Sequence, residues 1–135
     1  MYIAHNKVRM HDTDMAGILY FARQFRFVHD ALEDMVEEQG LPFDYLFHES
    51  DYVFVIVHCE ADYYAHLRVG DALEVHISLE RVGNTSFTMF YQIFKEADQS
   101  LVGTAKTVHV TLDSKTRQKV SIPDILREKL VKHLI

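Results

Sequence analysis

Between Phe21 and Met35 the apolar residues Phe21, Phe25, Val28, Leu32 and Met35 recur at steps of four and three. That is the spacing of a helix with one buried stripe. Arg23, Arg26, Asp30, Glu33, Asp34, Glu37 and Glu38 take most of the other positions. Gly40, followed by Leu41-Pro42, predicts the stop, because glycine adopts the left-handed cap and proline cannot continue the turn. From Val53 the period falls to two. Val53, Val55, Val57, Cys59, Ala61 and Tyr63 predict one apolar face, with His58, Glu60 and Asp62 opposite. Gly70-Asp71 reads as a turn, after which Leu73, Val75, Ile77 and Leu79 alternate with polar residues as in a half-buried antiparallel strand. Gly83-Asn84 turns the chain into a strand carrying Phe87, Met89, Tyr91 and Ile93. Ala97-Asp98-Gln99 is the next turn, and Val102 to Leu112 predicts a long strand with Val108, Val110 and Leu112 on one face. After Asp113-Ser114, Ile122-Pro123 opens a C-terminal helix with Ile125, Leu126, Leu130 and Leu134.

Ahead of the first helix, Lys7 to His11 suits a short first strand. Leu41 to Asp51, with Pro42, Phe43, Tyr45 and Phe47, predicts a short helical turn and an irregular loop. The expected order is strand, long helix, about four long antiparallel strands and a short helix. A sheet with its helix segregated to one face is an α+β layer. Exposed edge strands favour pairing with another copy, so a homodimer, or a homotetramer built from dimers, is expected.

The chain has 135 residues, 48% hydrophobic and 25% charged, which fits a single domain spanning residues 1–135 with an ordinary core. A formal charge of −6 argues against a general nucleic-acid binder, which needs a basic face. One cysteine excludes an intrachain disulfide framework and a thiolate zinc site. Neither a leader with an apolar core nor an apolar run of membrane-spanning length is visible, so a soluble cytoplasmic protein is expected.

The chemistry concentrates just before the long helix. His11-Asp12-Thr13-Asp14-Met15-Ala16-Gly17 sets two carboxylates and a glycine in a loop that feeds a helix start. The first N–H groups of a helix have no intrahelical partner, and that end stabilises negative charge. A carboxylate beside free amides can attack a carbonyl and shelter the resulting oxyanion. The same Asp-x-Asp pattern also serves plain capping and turn chemistry. A calcium loop would need further acidic ligands and a downstream glutamate.

Asp12-Thr13-Asp14-Met15-Ala16-Gly17-Ile18-Leu19-Tyr20-Phe21 resembles the motif of the 4-hydroxybenzoyl-CoA thioesterase family of hotdog-fold enzymes. Val57-His58-Cys59-Glu60-Ala61-Asp62-Tyr63-Tyr64-Ala65 is similar to that family's long strand, and Val69-Gly70-Asp71 to the turn after it. The resemblance implies a hotdog fold, a sheet of about five strands wrapped around one long central helix. It implies an acyl-CoA thioesterase with no cofactor beyond the coenzyme A of its substrate. Asp14 falls on the family's catalytic carboxylate, and the Phe21 backbone N–H on the amide that polarises the thioester carbonyl. Tyr20, Phe25 and His58 are candidates for substrate contact. Arg81, Asn84, Thr85 and Ser86 fall in the family's turn region for coenzyme A phosphates. Phe21, Arg23 and Gln24 replace residues that several relatives carry there, and this bears on substrate choice. The Leu19-Tyr20-Phe21 run and the Val57-His58 strand are similar to dihydroxynaphthoyl-CoA hydrolases, which adds an aromatic acyl group to the options and leaves an aliphatic one open.

Other chemistries find less support. The nine histidines form neither His-x-His nor His-Glu-x-x-His, so no metal site is expected. The alternation places Cys59 among core valines with His58 facing away, which argues against a thiol nucleophile. No Gly-x-Ser-x-Gly elbow or Gly-rich phosphate loop is present. Glu33 lies about 18 Å along the helix from Phe21, too far to share a site with Asp14 within one chain. Two rivals to the thioesterase remain at this point: a non-catalytic acyl-CoA binding module, and a hotdog hydratase or dehydratase relying on a His–carboxylate pair.

Overall fold

The computed structural model describes residues 1–40 and 50–135. The loop expected over Leu41 to Asp51 lies almost wholly outside the described residues. Five strands form one antiparallel sheet: β1 (Tyr2–Lys7), β2 (Tyr52–Tyr63), β3 (Ala72–Val82), β4 (Ser86–Lys95) and β5 (Ser100–Asp113). Their order in space is β1-β3-β4-β5-β2. Helix α1 (Gln24–Glu38) packs on one face of the sheet, and α2 (Asp124–Val131) follows β5. This is the α+β arrangement that the periodicities predict.

The first strand begins earlier than expected. Tyr2 to Lys7 pairs with Ile77 to Ala72 of β3, and the predicted stretch Lys7 to His11 runs into a 3-10 turn at Met10–Asp12. The helix also starts later. Phe21–Arg23 form a separate 3-10 turn, and the α-helical stripe is Phe27, Val28, Ala31, Leu32, Met35 and Val36, with Gln24 buried at its head. A 3-10 turn has three residues per turn, so it shifts the phase of the helix that continues from it. Phe21 is therefore left 62% exposed and Phe25 only half-buried. The predicted stop holds: Gly40 takes φ +83° and its N–H bonds to Glu37 O.

The core lies between α1 and the inner positions of β3 and β4: Leu73, Val75, Ile77, Leu79, Phe87, Met89, Tyr91 and Ile93 are all essentially inaccessible. Strand β5 contributes its polar positions. Ala105, Thr107, His109 and Thr111 face inward, whereas Val108 and Leu112 point the other way and are only partly covered. Tyr91 Oη lies 2.7 Å from Thr107 Oγ1, which lies 2.8 Å from His109 Nε2. The His109 ring stacks on Phe87, with centroids 4.8 Å apart and planes at 5°. Burial pushes the His109 pKa down to about 4, with His29 adding to the shift.

Strand β2 corrects the reading of Cys59. The register with β5 slips between Ile56 and His58, so Val57 is an extra residue and the alternation reverses there. Cys59 faces Thr107 on the helix side rather than continuing the face of Val53 and Val55. It is exposed, and β2 is an edge strand with no neighbour beyond it among the described residues.

Candidate functional site

The loop before α1 is a small hairpin built from its own sequence. Asp14 N–H donates to Ile18 O at 3.1 Å, Thr13 and Leu19 form a bridge, and Tyr20 N–H donates to Asp12 O at 2.8 Å. Gly17 takes φ +76° at the tip, a conformation that glycine adopts without steric cost. Leu19 N–H donates to Leu67 O at 2.8 Å, which ties the hairpin to the connection between β2 and β3.

The two aspartates have separate situations. Asp12 is fully buried. Its carboxylate accepts Arg26 Nε at 2.8 Å and Arg26 Nη2 at 2.6 Å, and Arg9 N–H at 2.7 Å. Burial alone would raise its pKa, but the Arg26 hydrogen bonds, the Arg9 N–H and the nearby charges outweigh that and hold the carboxyl below its ordinary range. Arg26 is shared further with Asp30 Oδ2 at 3.0 Å and Lys7 O at 2.9 Å. Asp14 is exposed. Its Oδ1 accepts Ala16 N–H at 2.9 Å, and Oδ2 has no partner among the described residues. One carboxylate braces the loop; the other is presented to solvent.

Phe21 opens the first turn, and its N–H has no acceptor among the described residues. The Tyr20 ring packs against the Phe21 ring, with centroids 4.9 Å apart, and both rings are exposed. The turn is fastened to the sheet by groups that the sequence did not flag. Gln24 Nε2 donates to Asp62 O and to Thr104 O, both at 3.1 Å. Gly103 makes room for it, since a Cβ there would lie 2.8 Å from Gln24 Nε2 and 2.9 Å from Asp62 O. Tyr63 donates its hydroxyl proton to Phe21 O at 2.6 Å.

Asp14, Tyr20, Phe21 and Phe25 thus sit on one hairpin-and-helix unit. The other candidates stand apart. His58 pairs with Val108 on the face of the sheet turned away from α1, and it is exposed. Arg81, Asn84, Thr85 and Ser86 lie at the β3–β4 turn, where Asn84 O accepts Ile122 N–H and Thr85 O accepts Thr111 N–H. That turn is at the opposite end of β3 from the hairpin, roughly 33 Å away at 3.3 Å per residue. Within one chain the structure does not join these residues to Asp14. Among the described residues, no group of three or more His, Cys, Asp or Glu is placed to hold a metal ion, and no helix is long and apolar enough to cross a membrane.

With this geometry in view, a family model described as "Thioesterase-like superfamily" matches residues 8–130. A 1,4-dihydroxy-2-naphthoyl-CoA hydrolase of Rippkaea orientalis is 35% identical over 124 residues, covering 91% of this chain and 90% of the relative. The protein of the same name from Gloeothece citriformis is 32% identical, covering 98% and 93%. Among solved structures, a 1,4-dihydroxy-2-naphthoyl-CoA thioesterase from Synechocystis superposes with a TM-score of 0.89 at 25% identity, covering 96% of this chain and 94% of that one.

Proposed function

The chain belongs to the thioesterase-like superfamily, and from that premise we propose how it acts as an acyl-CoA thioesterase. The thioester carbonyl oxygen accepts the Phe21 N–H, and the Asp14 carboxylate acts at the carbonyl carbon. Asp14 Oδ2 either attacks to give a mixed anhydride and the coenzyme A thiolate, or takes a proton from the water that attacks. Both routes use the same free oxygen and the same oxyanion donor. The observation that carries the reading is the pairing, on one short hairpin, of an exposed carboxylate oxygen with an unpartnered helix-start amide.

The acyl group in this reading is aromatic. The exposed Tyr20 and Phe21 rings supply flat apolar contact beside the proposed oxyanion donor, and the relatives' names specify a naphthoyl thioester. No cofactor takes part beyond the coenzyme A of the substrate.

The working unit in this proposal is a homodimer paired along β2. That strand is a twelve-residue edge with Val55, Ile56 and Val57 exposed, a surface that favours pairing with another strand. Antiparallel pairing of two copies across a twofold axis reverses the second sheet. The β3–β4 turn of one copy then comes to the end of the assembly that holds the other copy's hairpin. Arg81, Asn84, Thr85 and Ser86 of one copy are in that way brought toward the phosphates of a coenzyme A bound at the other. In this reading His58, exposed on the outer face of its own chain, is left outside the acyl pocket.

A panel of aryl- and alkanoyl-CoA thioesters assayed with a thiol-trapping dye tests the proposal. Rapid thiol release that favours aryl thioesters is expected. Binding without release would contradict the catalytic reading, and a preference for long alkanoyl chains would contradict the aromatic one.

A further inference from the structure

We infer that Tyr63 is a positioning residue for thioester hydrolysis, holding the first turn of the helix so that the Phe21 N–H points at the substrate carbonyl. The inference rests on the proposed role of that N–H. The peptide planes on either side of Phe21 are each held. The plane that contains the N–H also contains Tyr20 O, which accepts Arg23 N–H at 2.8 Å, and Tyr20 N–H is itself held by Asp12 O at 2.8 Å. The following plane carries Phe21 O. One side of that carbonyl accepts Gln24 N–H within the 3-10 turn. The other accepts the Tyr63 hydroxyl at 2.6 Å. A carbonyl oxygen has two lone pairs, and here both are used.

Rotation about the Phe21 backbone would therefore break a bond on one side or the other, and the N–H has little freedom to turn. An oxyanion donor is effective when it is already aligned before charge develops, since no reorganisation is then needed in the transition state. Tyr63 suits this task. It is the last residue of β2, and the neighbouring Asp62 O holds Gln24 Nε2, so strand and turn meet at two adjacent residues. Its hydroxyl is also kept protonated near neutral pH: burial raises its pKa, and the nearby Cys59 adds to the rise. The group consequently remains a donor across the range in which a thioesterase would be assayed.

The test is Tyr63→Phe, which deletes one oxygen and keeps the ring, measured beside Asp14→Asn. Misplacing a reacting group by about 1 Å can cost a hundredfold, so a loss of about 10- to 100-fold in kcat is expected from loosening the donor. KM should stay within about threefold, because ground-state contacts are not removed. The melting temperature should stay near that of the parent, because the substitution removes one hydroxyl of a largely exposed side chain. A purely structural role would lower the melting temperature without this split between kcat and KM. A folded Tyr63→Phe protein with parental kcat, or one in which only KM changes, would overturn the inference. If Asp14→Asn abolishes turnover while Tyr63→Phe does not change it, this inference alone fails. If Asp14→Asn keeps turnover, the reading beneath it fails instead.

Discussion

Replacing Asp12 with asparagine separates the bracing carboxylate from the reacting one. In the parent, Asp12 is fully buried and receives two hydrogen bonds from Arg26 and one from Arg9 N–H, at 2.6–2.8 Å. Asparagine keeps the shape but removes the charge, and its amide nitrogen cannot accept from Arg26. Breaking a fully buried ion pair by removing one partner costs about 3–5 kcal/mol. Arg26 retains Asp30 Oδ2 and Lys7 O as acceptors and is 23% exposed, which brings the cost to the lower end of that range or just below it, about 2–3 kcal/mol. For a domain of this size that is a fall of about 6–15 °C in melting temperature. The pH dependence follows from the lowered pKa. Asp12 is ionised more readily in the folded chain, so its contribution is fully present above the ordinary carboxylate range of about pH 4 and is lost as pH falls through the lower folded value. The gap between parent and variant should therefore narrow in strong acid. Differential scanning fluorimetry from pH 3 to pH 8, at one fixed protein concentration, measures both. A variant melting within about 2 °C of the parent at pH 7 would refute the idea that this pair holds the hairpin.

Two further outcomes follow from the sheet. Val57→Lys places a charge at an exposed edge position, where a single chain tolerates it within about 0.5 kcal/mol; light scattering should show a monomer with little activity, and an intact dimer would contradict pairing along β2. His109 is held neutral with its pKa at about 4, so the unfolded chain takes up its proton first as pH falls from about 6.5, and stability is lost from there down to about pH 4. A folded His109→Phe protein should lose that part of the acid dependence in urea titrations, and an unchanged pH profile would show that His109 does not carry it.

The periodicities were enough to place the helix stop at Gly40, the strands from Val53 to Leu112 and the short C-terminal helix, because each rests on local spacing and turn chemistry. What escaped them depends on partners far along the chain or on small irregularities. Asp12 reads as a cap until Arg26, fourteen residues later, folds back onto it. A single extra residue, Val57, reverses the alternation of β2 and carries Cys59 to the helix side of an exposed edge. The 3-10 turn at Phe21–Arg23 shifts the helical stripe from Phe25 to Phe27. In the last strand only Val108, Val110 and Leu112 stand out as an apolar face, yet Tyr91, Thr107 and His109 are linked by hydrogen bonds in the interior, and Thr111 Oγ1 donates to Val120 O. At the site, the motif identified Asp14 and Phe21 as neighbours on a loop. The fastening by Gln24 and Tyr63 joins the helix start to strands about forty and eighty residues away, and no local pattern encodes it.

Steady-state hydrolysis of an aryl-CoA thioester by Asp14→Asn decides whether the exposed Asp14 carboxylate does the chemistry. Asparagine retains an oxygen that can accept the Ala16 N–H, so the hairpin is preserved, but it can neither attack as a carboxylate nor take a proton from water. Loss of general-base help alone typically costs about 10²–10⁴ in rate. A fall in kcat of at least about a hundredfold is expected, with the melting temperature and substrate affinity close to those of the parent. A folded Asp14→Asn protein that turns over substrate at a near-normal rate would contradict it.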